Sequence, residues 1–527
     1  MKRKENQPVE MPARTTRKKG PKDSVYIYLT TRAYRNAAGR PTSDEALIGK
    51  LAEDGISLIP NQRYFEFFSD TRDAPASVVA LGTSAVLLLL ARRLGVSALL
   101  HEVFGKRGAC ALTAAAYMAD QGCVMAHIGD WCDESFISGG ARLDSKGASD
   151  LFESISFDER MRFFSAWIPI VTEDDHIAYD VTSLSTYSGG IEDAEWGLSR
   201  DGDDLTQINL GMFLGSKKRL PVYYATYQGS VLDKTHLPVM MGSASALGIS
   251  RVRFVFDRGF VTSTNLDYVS KKHISFITAL PSSLKAFKAL PGDKEVSAIH
   301  SSRNAIEGGL YAMAFDQTVL GQDLAVHLFY SPAKRALEED GTYARIERLE
   351  TELSKLVAAK GLPRKYSDLF TIESTGSTVA SFVRDYDRID ARLAACGYFA
   401  LATNDKTLSS KEVLDAYRGK DVIEKAFSGM KNQLDLKRLR THSGATTDGK
   451  LFCGFIALKL HMAIREALAQ STETRDKTVG SALRELKKLK RVTYPDGSVH
   501  HTVITKSQRL VLEALDITAE ELLAANG

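Results

Sequence analysis

The stretch "HIAYDVTSLSTYSGG", residues 176–190, decides how this chain is read. Ile177, Ala178 and Tyr179 lead into Asp180 with the composition of a strand, and small hydroxyl residues follow. An acid at that position is either a turn or cap residue or one member of a chemical set. Four more runs downstream share the strand character: "TQINLGMFL" (206–214), "LPVYYATYQG" (220–229), "VRFVFDRG" (252–259) and "HISFITAL" (273–280). The polar "GSKKR" at 215–219 gives a tight turn between the second and third of the five. A helical stretch around "LPVMMGSASALGI" (237–249) separates the third from the fourth.

Three consecutive strands, a helix, and then a strand returning to the sheet centre is the order of a ribonuclease H-like α/β unit. The fold class expected is therefore α/β, with that unit as a catalytic core. Residues 281–395 interrupt it, and within them "ALEEDGTYARIERLETELSKLVAAK" (336–360) has the spacing of a helix with a wet outer face. "GYFALATN" (397–404) then reads as a strand returning to the sheet. After it, "DAYRGKDVIEKAFSGMKNQLDLKRLR" (415–440) is helical, with a core stripe of Val422, Ile423, Phe427, Met430 and Leu434. "LFCGFIALKLHMAIREAL" (451–468) reads as a buried helix, and "VGSALRELKKLKRVTYPDG" (479–497) as a helix followed by a turn.

Upstream, the first 22 residues hold eight Lys or Arg against two Glu and read as a flexible arm. "SVYIYLTTRAYR" (24–35) reads as a strand and "NQRYFEFF" (61–68) as another short one. From about 78 to 165 the pattern is helical: a helical N-terminal domain is expected there. The domain expectation is thus a basic arm and small strand region over 1–75, and a helical domain over 76–170. The first part of the core follows over 171–280, an insertion over 281–395, the second part of the core over 396–470, and a basic C-terminal region over 471–527.

Bulk composition narrows the classes. A 44% hydrophobic fraction over 527 residues supports real cores. Five cysteines without a C-x-x-C pair argue against a disulfide scaffold or structural zinc site and suit a reducing compartment. The longest apolar run, Val78 to Ala91, is too short for a membrane span, and no apolar signal segment follows the basic N-terminus. The expectation is a cytoplasmic protein with no membrane partner. A net charge of +3 says little, but the basic N-terminus and "RELKKLKR" (484–491) can track a phosphate backbone or be solvated surface.

Asp257 closes "VRFVFD" and precedes Arg258 and Gly259, which puts a second acid at a strand end. If the two strands are neighbours, Asp180 and Asp257 converge on one sheet edge, and Glu424 can complete the set from the later helix. Carboxylate oxygens suit Mg²⁺, a hard ion that keeps waters for a substrate to replace. Two such ions can activate a nucleophile and stabilise the leaving oxygen of a phosphodiester. Tyr417, Lys420, Glu424 and Lys431 recur at intervals of 3, 4 and 7, so they share one face if the helix runs back past Gly419. That face reads either as a phosphate-binding surface or as a surface helix with an i,i+4 ion pair between Lys420 and Glu424.

With these residues in view, the chain resembles the DDE transposases of bacterial insertion sequences. The branch is the one whose glutamate lies in a Tyr-x2-Arg-x3-Glu-x6-Lys signature. Tyr417, Lys420, Glu424 and Lys431 keep that spacing, with lysine where the family has arginine, so the charge stays and the bidentate fork is lost. "YDVTSLS" and "FDRGFVTSTNLDYV" carry the resemblance around the two aspartates, and it extends through "GRPTSDEALIGKLAEDG" (39–55) and the helical 84–150 region, hence over most of the chain. The 167-residue interval between Asp257 and Glu424 fits an insertion.

The resemblance implies that Asp180, Asp257 and Glu424 are catalytic and bind two Mg²⁺ ions, with Mn²⁺ able to substitute. Tyr417 and Lys431 would hold backbone phosphates with Lys420 beside them, and Arg258 would do the same or form a salt bridge. The partners implied are double-stranded DNA with terminal inverted repeats and target DNA, with the helical 76–170 domain as the candidate for DNA-end recognition and the protein acting as a homodimer in the DNA complex. Two rival readings are a non-catalytic DNA-binding derivative and a ribonuclease H-like nuclease that does not join ends. Elsewhere, His461 reads as a structural residue of an apolar helix, His500 and His501 point oppositely on a strand, "DGDD" (201–204) reads as a solvated turn, and the three tryptophans as packing residues.

Overall fold

The structure is a computed structural model and describes residues 8–21, 24–35, 40–68, 75–137, 141–172, 176–249, 253–284, 296, 298–355, 364–375 and 378–524. The chain divides into two compact units. One comprises residues 1–167, 184–194 and 426–527, the other 168–183 and 195–425.

The first unit opens with strands β1 (Thr15–Lys19), β2 (Val25–Arg35), β3 (Pro41–Leu51) and β4 (Leu58–Pro60), an antiparallel sheet in that order. "TTRKK", expected within a flexible arm, is thus a strand. Gly20 N–H donates to Ser24 O (2.7 Å), and the strand pairs antiparallel with β2. Residues 1–7 and 22–23 of that arm lie outside the described residues. "NQRYFEFF" is a helix, Gln62–Phe68, not a strand. Asn61 caps it, its Oδ1 accepting from Tyr64 N–H (3.2 Å), and the Tyr64 ring packs at a tilt against that of Phe68 one turn later, with centroids 4.9 Å apart.

Helices run from Gly82–Arg93 to Phe157–Val171 among the described residues, but the run "SVVA" before them is strand β5 (Ser77–Ala80). It pairs with Lys490–Thr493, which pairs in turn with Val499–His501. The central element is the 27-residue helix Gly444–Gln470, buried along most of its length and packed on Lys106–Gln121 and Ser145–Ser154. A Cβ on Gly449 would lie 2.0 Å from Phe152 O, so only glycine permits this helix approach. Among the described residues no single helix is long and apolar enough to cross a membrane.

The second unit is built on one nine-stranded sheet. Its strands are β6 (His176–Thr186), β7 (Thr206–Gly215), β8 (Pro221–Gln228), β9 (Arg253–Phe256), β10 (Phe276–Ala279), β11 (Ala305–Ile306), β12 (Leu310–Val319) and β13 (Gln322–Tyr330), and a later strand Tyr398–Thr403. The spatial order is β11-β12-β13, then Tyr398–Thr403, then β10-β9-β6-β7-β8. β6, β9 and β10 run parallel. β7–β8 and every pair from β10 to β11 are antiparallel. All five strands read between 176 and 280 are present, with the helix Asp233–Ala246 between the third and fourth, and "GYFALATN" returns to the sheet beside β10.

Within 281–395, β11 to β13 extend the same sheet rather than standing apart from it. The remainder builds a small core of Ile346, Leu349, Leu353, Tyr366, Leu369, Phe370 and Ile389. Its charged helix, Pro332–Leu353, starts at Ser331, whose hydroxyl accepts from Lys334 N–H (3.2 Å) with proline in the first turn.

Candidate active site

Ile177, Ala178 and Tyr179 of β6 and Phe254, Val255 and Phe256 of β9 are all buried, as apolar runs at the centre of a covered sheet must be. Their parallel register pairs Ile177 with Phe254 and Tyr179 with Phe256. The next residue on each side is an aspartate, so Asp180 and Asp257 stand at neighbouring positions of adjacent strands. Asp257 leaves β9 in extended conformation and leads into the single turn Arg258–Phe260. Phe260 anchors that turn, with its ring 5.2 Å from that of Tyr179 and its N–H on Asp257 O (3.0 Å).

The two acids have different surroundings. Asp180 is largely desolvated, and burial lifts its carboxyl above the ordinary range. The Lys420 ammonium and the Val181 N–H, which donates to Asp180 Oδ1 at 2.8 Å, oppose the shift, the negative charge of Asp257 adds to it, and Arg200 draws it back. Asp257 accepts a hydrogen bond from Tyr417 Oη (3.1 Å). Burial, and then Asp257 itself, push the Tyr417 phenol well above its ordinary range, so it remains a donor.

Tyr417 and Glu424 come from two helices, not from one continuous helix, and Lys420 lies in the break between them. Ser410–Arg418 starts at a capping box of Ser409 and Glu412 and packs on a core containing Val255, Ile277, Leu401 and Val413. A break at Gly419–Lys420 follows, and Asp421–Ser428 begins the second helix. Through the break, Lys420 N–H donates to Tyr417 O (3.0 Å) and Ile423 N–H to Lys420 O (2.9 Å), so the tighter i→i+3 winding keeps Tyr417, Lys420 and Glu424 together.

Lys420 is buried, its side chain 7% exposed. Its Nζ lies 3.7 Å from Asp180 Oδ2 and 3.5 Å from Glu424 Oε1. The ion pair expected with Glu424 is present, and a second acid shares the same ammonium. Glu424 is exposed at 64%. Val422, Ile423, Phe427, Met430 and Leu434 are buried as expected. Arg258 is exposed beside Tyr417, where its charge opposes the upward shift of the phenol. Lys431 belongs to the other compact unit, on the π-helical turn Gly429–Gln433.

The three acids do not form one tight carboxylate cluster. Among the described residues no three Asp, Glu, His or Cys side chains are arranged to share a metal ion. What the geometry brings together is the Asp180–Asp257 pair, with Glu424 tied to it through Lys420. Two adjacent carboxylates, one of them desolvated and facing like charge, fit a hard dication, which would relieve that repulsion with oxygen ligands alone.

Composition did not single out Arg200. It lies beside the "DGDD" turn, its N–H donates to Ser183 Oγ (3.2 Å), its guanidinium pairs with Asp233, and its charge reaches Asp180. Nothing in its local pattern marks it, because the loop that carries it is solvated and only the chain's return past β6 places it there. Among the described residues neither ring nitrogen of His461 has a hydrogen-bond partner, and burial lowers its pKa to about 4. Trp131 and Trp167 are buried, whereas Trp196 is exposed.

The family model described as a transposase DDE domain matches residues 172–460, a span that holds both aspartates and Glu424. The chain belongs to the DDE transposase family. No curated protein matches this transposase-family chain. Among solved structures it is similar to a piggyBac transposase synaptic complex with hairpin DNA, at 10% identity and a TM-score of 0.31. The match covers 73% of this chain and 64% of that one, so the chain spans less than two thirds of that structure's length.

Proposed function

We propose that this DDE-family protein is an active transposase of a bacterial insertion sequence, from the branch with the Tyr-Arg-Glu-Lys signature. It binds terminal inverted repeats, cuts DNA at those ends and joins the released 3′-OH to target DNA. The observation that carries the reading is the β6–β9 register, which sets Asp180 beside Asp257. The strand order β8-β7-β6-β9-β10, with β6, β9 and β10 parallel, supports a ribonuclease H-like core. The 281–395 segment is then the insertion between the second Asp and the Glu.

Asp180 and Asp257, with Glu424, are the residues that would hold Mg²⁺, two ions in the full reading. Bound there, the ions supply a nucleophile active at neutral pH and charge stabilisation for the leaving oxygen. The chain's own groups prepare that site. Tyr417 donates to one oxygen of Asp257 and leaves the other available. Lys420 holds Asp180 and Glu424 at one ammonium and lowers the cost of keeping Asp180 ionised. Arg258, exposed beside Tyr417, and Lys431 would meet backbone phosphates. Double-stranded DNA and a second copy of the chain are the partners this reading requires.

The test is strand joining. A duplex carrying the flanking inverted repeats with a pre-exposed 3′-OH is incubated with the protein, Mg²⁺ and a circular target. Joined product is expected; cleavage of uncut ends without any joining would favour a hydrolytic nuclease instead.

A further inference from the structure

The hairpin β2–β3 runs past the sheet that contains it. β1 pairs with β2 only as far as Leu29, and β4 pairs with β3 only over Gly49–Leu51. The small core under this sheet, Ile27, Leu29, Ile48 and Leu58, stops at the same level. Beyond it, Arg32 pairs with Asp44, Ala33 with Ser43, Tyr34 with Thr42 and Arg35 with Pro41, a two-stranded ribbon to which no further strand is paired among the described residues. Thr31 to Arg35 are all exposed, as are Arg40, Pro41, Ser43 and Asp44.

A two-stranded ribbon buried on neither face gains almost nothing from the core and is marginal alone. Local contacts stiffen it: Tyr34 Oη donates to Asp44 Oδ1 (3.3 Å), and the Arg32 guanidinium lies 5.5 Å from the Tyr34 ring. Its charge is one-sided, Arg32, Arg35 and Arg40 against Asp44. The adjoining edge strand β1 adds exposed Arg17, Lys18 and Lys19, of which Lys18 is paired with Glu45. Five strand residues reach about 17 Å, and the major groove, about 12 Å wide, admits a two-stranded ribbon.

From this we infer that the β2–β3 ribbon is a DNA-reading element: it enters the major groove of duplex DNA with Arg32, Tyr34, Arg35 and Arg40, while β1 lies along the phosphates. The inference rests on the transposase reading and assigns the DNA contact to the N-terminal sheet rather than to the helices over 82–167.

The experiment uses the full chain, a duplex carrying the flanking inverted repeats and a random duplex of equal length. Binding is measured from 50 to 300 mM salt, and guanine N7 protection is read with dimethyl sulfate. Wild type is compared with the triple variant R32A/R35A/R40A, whose fold is checked by its melting temperature, and with D257A. The triple variant is expected to bind the repeat duplex at least about 30-fold more weakly, with a salt slope shallower by about 2 to 3 and without the N7 protection that wild type gives. D257A is expected to bind as wild type does. Equal affinity and slope for wild type and the triple variant would overturn the ribbon assignment while leaving the transposase reading intact. Weakened binding with no N7 protection by wild type would overturn groove entry. A wild type that binds neither duplex would overturn both readings.

Discussion

Asp180 and Asp257 are each one residue beyond the paired positions Tyr179 and Phe256 of two parallel strands, so their carboxylates are neighbours by register alone. A one-residue slip of either strand would turn its acid to the opposite face. The pair is therefore a property of the sheet, and its replacement should separate chemistry from folding. D180N and D257N are each expected to lose DNA cleavage by about 10³-fold or more, the scale seen when one member of a catalytic set is removed. Thermal unfolding should show both variants at least as stable as wild type.

The raised pKa of Asp180 predicts a direction for stability against pH. A carboxyl whose folded pKa lies above its unfolded value favours folding below the unfolded pKa, and that contribution is lost as pH rises through the folded pKa. D180N removes the loss. Urea unfolding across the acidic range should show D180N gaining on wild type as pH rises from about 4, then levelling off. A difference that stays flat or shrinks would refute the assignment of burial as the dominant cause.

Lys420 is expected to matter through Asp180. K420M leaves a desolvated carboxylate without its nearest cation and should cost about 1–3 kcal/mol of stability. In the double variant K420M/D180N much of that cost should disappear, with a coupling energy of about 0.5–3 kcal/mol in a double-mutant cycle. Strict additivity would mean that the Nζ–Oδ2 approach at 3.7 Å carries no energy.

Tyr417 orients Asp257 without being an acid or base in the working range, because its phenol stays protonated. Y417F should lower cleavage about 10- to 100-fold, as loss of a partner that orients a metal-binding carboxylate does. The metal concentration needed for half-maximal activity should rise, and the shape of the pH–rate profile should not change. A purely structural tyrosine would instead lower stability and leave the metal dependence alone.

Much of this site was legible as composition and little of it as geometry. The five strands from 176 to 280 showed because apolar runs cut by turn residues survive in any register. Asp180 and Asp257 showed as acids at strand ends, but which strands are neighbours depends on crossovers that local pattern does not encode. The face shared by Tyr417, Lys420 and Glu424 was visible by spacing, whereas the break at Gly419–Lys420 was not, since i→i+3 winding preserves that face. The burial of Lys420 was hidden because the groups that bury it come from elsewhere in the chain. "NQRYFEFF" misled because its aromatic residues suit a strand, while the Asn61 cap and the Tyr64–Phe68 contact settle it as a helix.

The measurement that tests the central claim most directly is end-specific cleavage of a labelled duplex carrying the native inverted repeats, with Mg²⁺, by wild type, D180A, D257A and E424A. Wild type should cut at the repeat end, and each variant should bind the duplex normally yet fail to cut. Cutting by D180A or D257A at the wild-type rate would contradict the account, because the neighbouring pair on β6 and β9 would then have no part in the chemistry.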